Sequence, residues 1–193
     1  MPRAGLTEDR VVVEAERIAD EVGLRRFTLA GLADRLGVRQ PSLYKHITGM
    51  DGLQRSIAIR AKRELAEVLG RATVGRARAD AVRALCRAYR SWALAHPGRY
   101  AATVRAPEAA DAEDLEAASA ASEVVFGVLE GFGLSGDDAV DATRAIRAAL
   151  HGFHVLETGA GFGLPRDVER SFDRLVDGLV AAIEGHVFDG GSS

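Results

Sequence analysis

The sequence predicts an all-α protein, and two observations support this. Apolar residues recur three and four positions apart along nearly the whole chain, which is the spacing of one face of an α-helix. There is no convincing run in which apolar and polar residues alternate, as they would along a half-buried β-strand. The 193 residues are enough to bury a sizeable core in one large domain or two small ones.

Three short helices are predicted in the first 50 residues. The first covers about 7–22, with apolar residues on one stripe, and stops at a glycine. The second follows Thr28, whose hydroxyl suits a helix cap, and reaches residue 36 before another glycine. The third covers about 40–47, and Pro41 is acceptable in its first turn because the amide it lacks would be unpaired there.

Longer helices are predicted beyond a turn at 48–52. They cover about 51–69, 80–95, 113–132, 137–157 and 168–187. The sequence His-Pro-Gly at 96–98 is a stop signal, and the glycine-rich stretch 159–163 is predicted to be a loop. We expect the tail at 189–193 to be disordered.

Charge is unevenly divided along the chain. All 193 residues include 25 basic and 28 acidic ones, for a net charge of −3. Residues 1–63 hold 12 basic and 8 acidic residues (+4), whereas 64–193 hold 13 and 20 (−7).

The single cysteine, Cys86, excludes an internal disulfide and a cysteine-rich metal site, and it favours a reducing compartment. The charged N-terminus is no signal peptide, and no apolar stretch approaches the roughly 20 residues of a membrane span. We therefore expect a cytoplasmic protein with no membrane partner.

Residues 28–47 have the spacing of a helix-turn-helix. Ala33 is small where two helices cross closely, and Gly37 can take the left-handed conformation that the turn needs. Leu43 and Ile47 return apolar groups to the small core. The outer face then offers side chains suited to base edges and phosphates, namely Arg39, Gln40, Ser42, Tyr44, Lys45 and His46.

With these features, residues 7–53 resemble the DNA-binding domain of the TetR family of bacterial transcriptional regulators. The matching residues are Phe27-Thr28, Leu32-Ala33, Gly37-Val38 and Ser42-Leu43-Tyr44-Lys45-His46. The resemblance implies a helix-turn-helix domain over 1–50 and a helical effector-binding and dimerisation domain over 51–193, with a connecting helix at 51–69. It also implies a homodimer that binds a double-stranded DNA operator of two-fold symmetry, as a repressor in preference to an activator, and that a small-molecule effector releases.

The resemblance also implies roles for individual residues. Phosphate contacts are expected at Thr28, Tyr44 and His46. Bases are expected to be read at Gln40, Pro41 and Ser42. Arg39 and Lys45 suit either role, because each can contact guanine or neutralise a phosphate. The density of matches favours DNA binding over a merely solvated helix face.

The C-terminal part carries a looser resemblance to a TetR subgroup with Trp and His-Gly elements, here Trp92 and His151-Gly152. Candidate effector-pocket residues are apolar or aromatic with a few polar groups, namely Tyr89, Trp92, Tyr100, Val125, Phe126, Leu129, His151 and His154. The alternative that the same residues only form the hydrophobic core stays open. No single charged anchor stands out, which favours an apolar or aromatic effector.

The family fold places the last two long helices in a four-helix bundle with their two-fold mates. Their apolar stripes supply the candidate dimer contacts Ile146, Phe153, Phe172, Leu175, Val176, Leu179 and Ile183.

No catalytic constellation, cofactor motif or metal site is expected. His151, His154 and Glu157 lie three apart, but no cysteine or second histidine pair is near in sequence to complete a metal shell. Whether these three line the pocket, the dimer interface or neither stays open. Two alternatives also stay open. One is a helical small-molecule binding protein or enzyme whose N-terminal unit is only structural, and the other is a DNA-binding protein without an effector.

Overall fold

A computed structural model describes residues 6–185 and 187–188. These residues form α-helices and one 3₁₀ helix without any strand, which confirms the predicted all-α class. In chain order they are α1 (Glu8–Val22), α2 (Leu29–Leu36), the 3₁₀ helix (Gln40–Lys45), α3 (Gly49–Thr73), α4 (Arg78–Ala95), α5 (Pro97–Thr103), α6 (Ala112–Glu130), α7 (Gly136–Thr158) and α8 (Val168–Glu184). None of the described helices is long and apolar enough to cross a membrane. The tail at 189–193, predicted to be disordered, lies outside the described residues.

The chain divides into two compact units. Of the described residues, 6–64 and 95–118 form the N-terminal unit, and 65–94, 119–185 and 187–188 form the C-terminal unit. Helices α3 and α6 each contribute residues to both units. The predicted functional division after residue 50 stays a prediction.

Local signals in the sequence set the ends of the first two helices. The hydroxyl of Thr7 accepts a hydrogen bond from the amide of Arg10 at 3.3 Å, and that of Thr28 accepts one from Gly31 at 3.1 Å. Each bond satisfies an amide that has no partner within its helix. Gly37 ends α2 in the left-handed conformation, with φ +67° and ψ +35°. The helix-turn-helix therefore has the turn that its sequence predicts.

Several predicted boundaries are wrong. The connecting helix, predicted to end near residue 69, continues to Thr73. The third helix is a 3₁₀ helix that ends at Lys45, not an α-helix over 40–47. The turn predicted at 48–52 is shorter, because Gly49 takes a φ of +93° and α3 begins there. The last helix ends at Glu184 instead of 187, where the amide of Gly185 bonds to the carbonyl of Ala181 at 2.8 Å.

Helix α5 is absent from the sequence prediction, and tertiary contacts explain its presence. It packs on α1 so closely that a Cβ placed on Gly98 would overlap the backbone carbonyl of Ala19. The amide and the Nε of Arg99 each donate to the carboxylate of Asp20 at 2.8 Å. Ala102 belongs to the same hydrophobic cluster as the first three helices. Helix α5 is therefore part of the N-terminal unit.

The N-terminal unit also contains a buried ion pair. Lys62 on α3 donates through Nζ to Oδ1 of Asp114 on α6 at 2.5 Å. The two side chains are only 6% and 1% exposed. Two charges taken out of water are tolerated because each one compensates the other.

In the C-terminal unit, the single cysteine lies in the core. Cys86 on α4 is fully buried, and Leu85 and Val82 on the same helix are buried too. Burial disfavours the thiolate and raises the pKa of Cys86 to about 12. The thiol is therefore a small apolar core group in the folded protein.

Candidate functional site

The segment 39–46 presents polar side chains on an apolar anchor. Leu43 is fully buried and Ile47 is 8% exposed, so the segment is held to the core from one side. Tyr44 is 55% exposed, which is unusual for an aromatic side chain. Of the predicted DNA contacts in this segment, Ser42 and His46 are half-buried, and the exposed ones are Arg39, Gln40, Pro41, Tyr44 and Lys45. The eighth, Thr28, is exposed at the start of α2, where its hydroxyl caps the helix.

A cleft of about 410 Å³ lies between the end of this segment, α3 and the start of α1. It is lined by Glu8, Tyr44, Lys45, His46, Ile47, Thr48, Gly52, Arg55 and Ser56. Thr48, Arg55 and Ser56 are absent from the predicted site. Helical spacing is the signal that points to them, because position 52 lies four residues after 48, and positions 55 and 56 lie three and four residues after 52, so they share one helix face.

Ion pairs join α3 to α1. Arg60 donates through Nε to Glu16 at 2.9 Å and through Nη1 to Asp9 at 2.8 Å. Burial raises the pKa of Glu16, although Arg60 acts in the opposite direction. Both helices contribute residues to the cleft, namely Glu8 from α1 and Gly52, Arg55 and Ser56 from α3.

The predicted effector residues fall in two different units. Seven lie in the C-terminal unit: Tyr89 and Trp92 on α4, Val125, Phe126 and Leu129 on α6, and His151 and His154 on α7. Tyr100 lies on α5 in the N-terminal unit, where it is 3% exposed. Trp92, Leu129 and His154 are buried, as both a pocket and a plain core require. Their ligand-binding role stays a prediction.

Glu157 is held by an arginine on a neighbouring helix. Arg90 on α4 donates through Nε and Nη2 to the two oxygens of Glu157, at 2.9 and 2.7 Å, and through Nη1 to Glu169 at 2.6 Å. The guanidinium also lies 4.6 Å from the centroid of the Phe172 ring. The bond to Arg90 lowers the pKa of Glu157. Among the described residues, no group of three or more metal-ligating side chains is placed to hold an ion.

We expect His154 to make the stability of the protein depend on pH. Burial lowers its pKa below the ordinary 6.5, and nearby His151 lowers it further against an opposite effect of Glu157. As the pH falls below that ordinary value, the unfolded chain binds a proton that the folded protein resists, so the free energy of unfolding decreases. We expect the urea midpoint to fall between about pH 7.5 and about pH 5.5, and to fall less in His154→Gln. An equal fall in both proteins would contradict this assignment.

The predicted dimer contacts are mostly core residues of the single chain. Ile146, Phe153, Phe172, Val176 and Ile183 are each at most 9% exposed, so little of their area remains for a partner. Leu175 and Leu179 on α8 are half-buried and keep accessible area. Val155 and Leu156 on α7 are each 49% exposed and are missing from the predicted set. The interface itself stays a prediction.

Comparisons with known proteins found a matching family model, similar transcriptional regulators and a solved structure of the same fold. Residues 82–179 match the family model described as "Tetracyclin repressor-like, C-terminal domain". A protein named as an uncharacterized HTH-type transcriptional regulator of Mycobacterium tuberculosis is 37% identical over 192 residues, which cover 98% of this chain and 87% of that protein. A similarly named protein of Bacillus subtilis is 32% identical over 174 residues, or 88% of each chain. The crystal structure of TetR from Acinetobacter baumannii shares the fold, with a TM-score of 0.70 and 20% identity over 94% of this chain and 98% of that one.

Proposed function

Since the chain belongs to the TetR family of transcriptional regulators, we propose that it is a homodimeric repressor that binds a pseudo-palindromic operator and responds to a small-molecule effector. Membership of a family of regulators also means that the chain is not an enzyme. A cytoplasmic location follows from a role on bacterial DNA.

The observation that carries the proposal is the outer face of the 39–46 segment. It offers donors and acceptors to base edges and phosphates while buried Leu43 fixes its position. In a dimer, two such segments enter successive major grooves when they are separated by about one turn of DNA, roughly 34 Å. The net positive charge of residues 1–63 supports attraction to the phosphate backbone.

We place the effector in the C-terminal unit. The seven candidate residues there are apolar or aromatic apart from two histidines, which supports an apolar or aromatic effector. The effector must prefer a conformer in which the two segments no longer match the groove spacing, because a ligand with equal affinity for both states shifts nothing. A compound that raises Tm and weakens operator binding to a matching extent would separate this proposal from a DNA-binding protein without an effector.

We place the dimer interface on α7 and α8. Half-buried Leu175 and Leu179 on α8 and half-exposed Val155 and Leu156 on α7 support this location.

The first experiment is selection of binding sites from random duplex DNA by the purified full chain at physiological salt. Non-specific binding is weak there, so a sequence that is read through base contacts survives the selection. Enrichment of a pseudo-palindrome is the expected result. A folded dimer that enriches no sequence in the absence of any added compound would contradict the proposal.

Two substitutions test the predicted division of roles within the segment. We expect Tyr44→Ala to weaken binding to all sequences alike, because a phosphate contact carries no sequence information. Gln40→Ala should relax the preference at one base position in each half-site, at a cost of about 1–3 kcal/mol for the preferred base. Fluorescence anisotropy with the selected operator and with single-base variants measures both effects. Equal, sequence-independent losses from the two variants would refute the assignment of roles.

A further inference from the structure

Arg55 lies at the edge of the predicted DNA-binding surface. It is on α3 and lines the 410 Å³ cleft together with Tyr44, Lys45 and His46. Its side chain is 36% exposed, so it is accessible from that cleft. A DNA phosphate bound by the cleft residues would therefore pass near a second source of positive charge.

In the free protein, two carboxylates from the start of α6 hold this guanidinium. Arg55 donates through Nε to Oδ2 of Asp111 at 2.5 Å, and through Nη2 to Oδ1 of Asp111 at 2.6 Å and to Glu113 at 3.1 Å. Arg63 donates through Nη1 to the other carboxylate oxygen of Glu113, Oε1, at 3.2 Å. Two arginines and two acids thus form one cluster whose charges cancel.

A phosphate can take the place of these carboxylates. The planar fork of arginine binds carboxylates and phosphates with the same paired geometry. The Arg55 and Asp111 side chains keep 36% and 16% of their area exposed, so a phosphate can approach the guanidinium and compete with the carboxylate for it. DNA supplies a dense row of such anions, and each neutralised phosphate releases condensed counterions.

We propose that Arg55 is a further DNA-backbone contact, and that Asp111 and Glu113 compete with the operator phosphate for its guanidinium. The inference rests on the proposed DNA-binding function. Because binding free energies are coupled reciprocally, operator binding frees the start of α6, and any event that tightens the Arg55 to Asp111 pair weakens operator binding.

Asp111→Asn separates the charge of this side chain from its role as a helix cap. Oδ1 of Asp111 also accepts a hydrogen bond from the amide of Asp114 at 3.1 Å, which caps the first turn of α6. Asparagine caps helices about as well as aspartate, so Asp111→Asn removes the charge and keeps the cap. Glu67→Gln is the matched control, since it removes one acidic charge from an exposed pair on α3, the helix that carries Arg55.

The experiment measures operator affinity against salt concentration for the full-length wild type, Arg55→Gln, Asp111→Asn, their double variant and Glu67→Gln. We expect Arg55→Gln to lower the slope of log K against log salt by about one. Asp111→Asn should tighten binding by about two- to fivefold relative to Glu67→Gln. That gain should vanish in the Arg55→Gln background, because the competition acts through Arg55.

Three results would overturn the inference. One is an unchanged salt slope in Arg55→Gln. Another is a change in operator affinity in Asp111→Asn no larger than that in Glu67→Gln. The third is a gain in operator affinity from Asp111→Asn that persists in the Arg55→Gln background, because the lost charge would then act directly on DNA and not through Arg55. In each case wild-type binding stands and only this inference fails. A wild type that selects no operator would remove the proposed function, and this inference with it.

Discussion

Asp114→Asn is expected to destabilise the protein by about 3–5 kcal/mol, because it leaves the buried ammonium of Lys62 without its counter-charge. In a chain of this size each kcal/mol lowers Tm by about 2–4 °C, so the loss is readily measured by thermal unfolding. The substitution keeps the size of the side chain. The charge change, and not a cavity, is therefore the cause of the expected loss.

Two controls isolate the buried charge. Lys62→Met together with Asp114→Asn removes both charges, and we expect the double variant to be more stable than Asp114→Asn alone. Glu67→Gln breaks the exposed pair with Arg71, whose side chains are 68% and 67% accessible, and should cost no more than about 1 kcal/mol. If Asp114→Asn cost as little as Glu67→Gln, the pair would not be desolvated.

Gly98→Ala is expected to cost about 3 kcal/mol, the upper end of typical overpacking losses. The added methyl group would overlap the carbonyl of Ala19, which is backbone and cannot rotate away as a flexible side chain would. Helix α5 must therefore move away from α1, which disturbs the N-terminal unit. Chemical denaturation measures the loss, and a lower operator affinity should accompany it.

Gly127→Ala is the matched control for this substitution. Gly127 lies within α6, and a Cβ there would meet nothing within 4 Å. Alanine favours the helix over glycine by up to about 1 kcal/mol, so this variant should be as stable as the wild type or more so. A Gly98→Ala variant that matched Gly127→Ala in stability would refute the close approach of α5 to α1.

Local chemistry explains why much of the fold was predictable. Thr28 and Gly37 act through a hydrogen bond and a backbone conformation within four residues, so their roles are visible in the sequence. The outer face of the 39–46 segment was predictable for the same reason, since buried Leu43 and Ile47 fix which side chains point outward.

Tertiary contacts explain what was not predictable. Pro97 and Gly98 signal a helix end, yet a helix forms there. It is held by a hydrogen bond to Asp20 and by close packing on the backbone of α1. Similarly, no local signal pairs Lys62 with Asp114, which is 52 residues away. The link from Arg55 to Asp111 has the same character, so the sequence shows the charges without showing their partners.

The buried thiol of Cys86 can be used to measure how often the C-terminal unit opens. An alkylating reagent attacks the thiolate, which the folded core both hides and disfavours, so labelling has to wait for the C-terminal unit to open. With one cysteine in the sequence, every labelled molecule records that event at one known position. A compound that binds only the closed form slows labelling by the factor 1 + [L]/Kd, so a library can be screened for effectors before any operator is known.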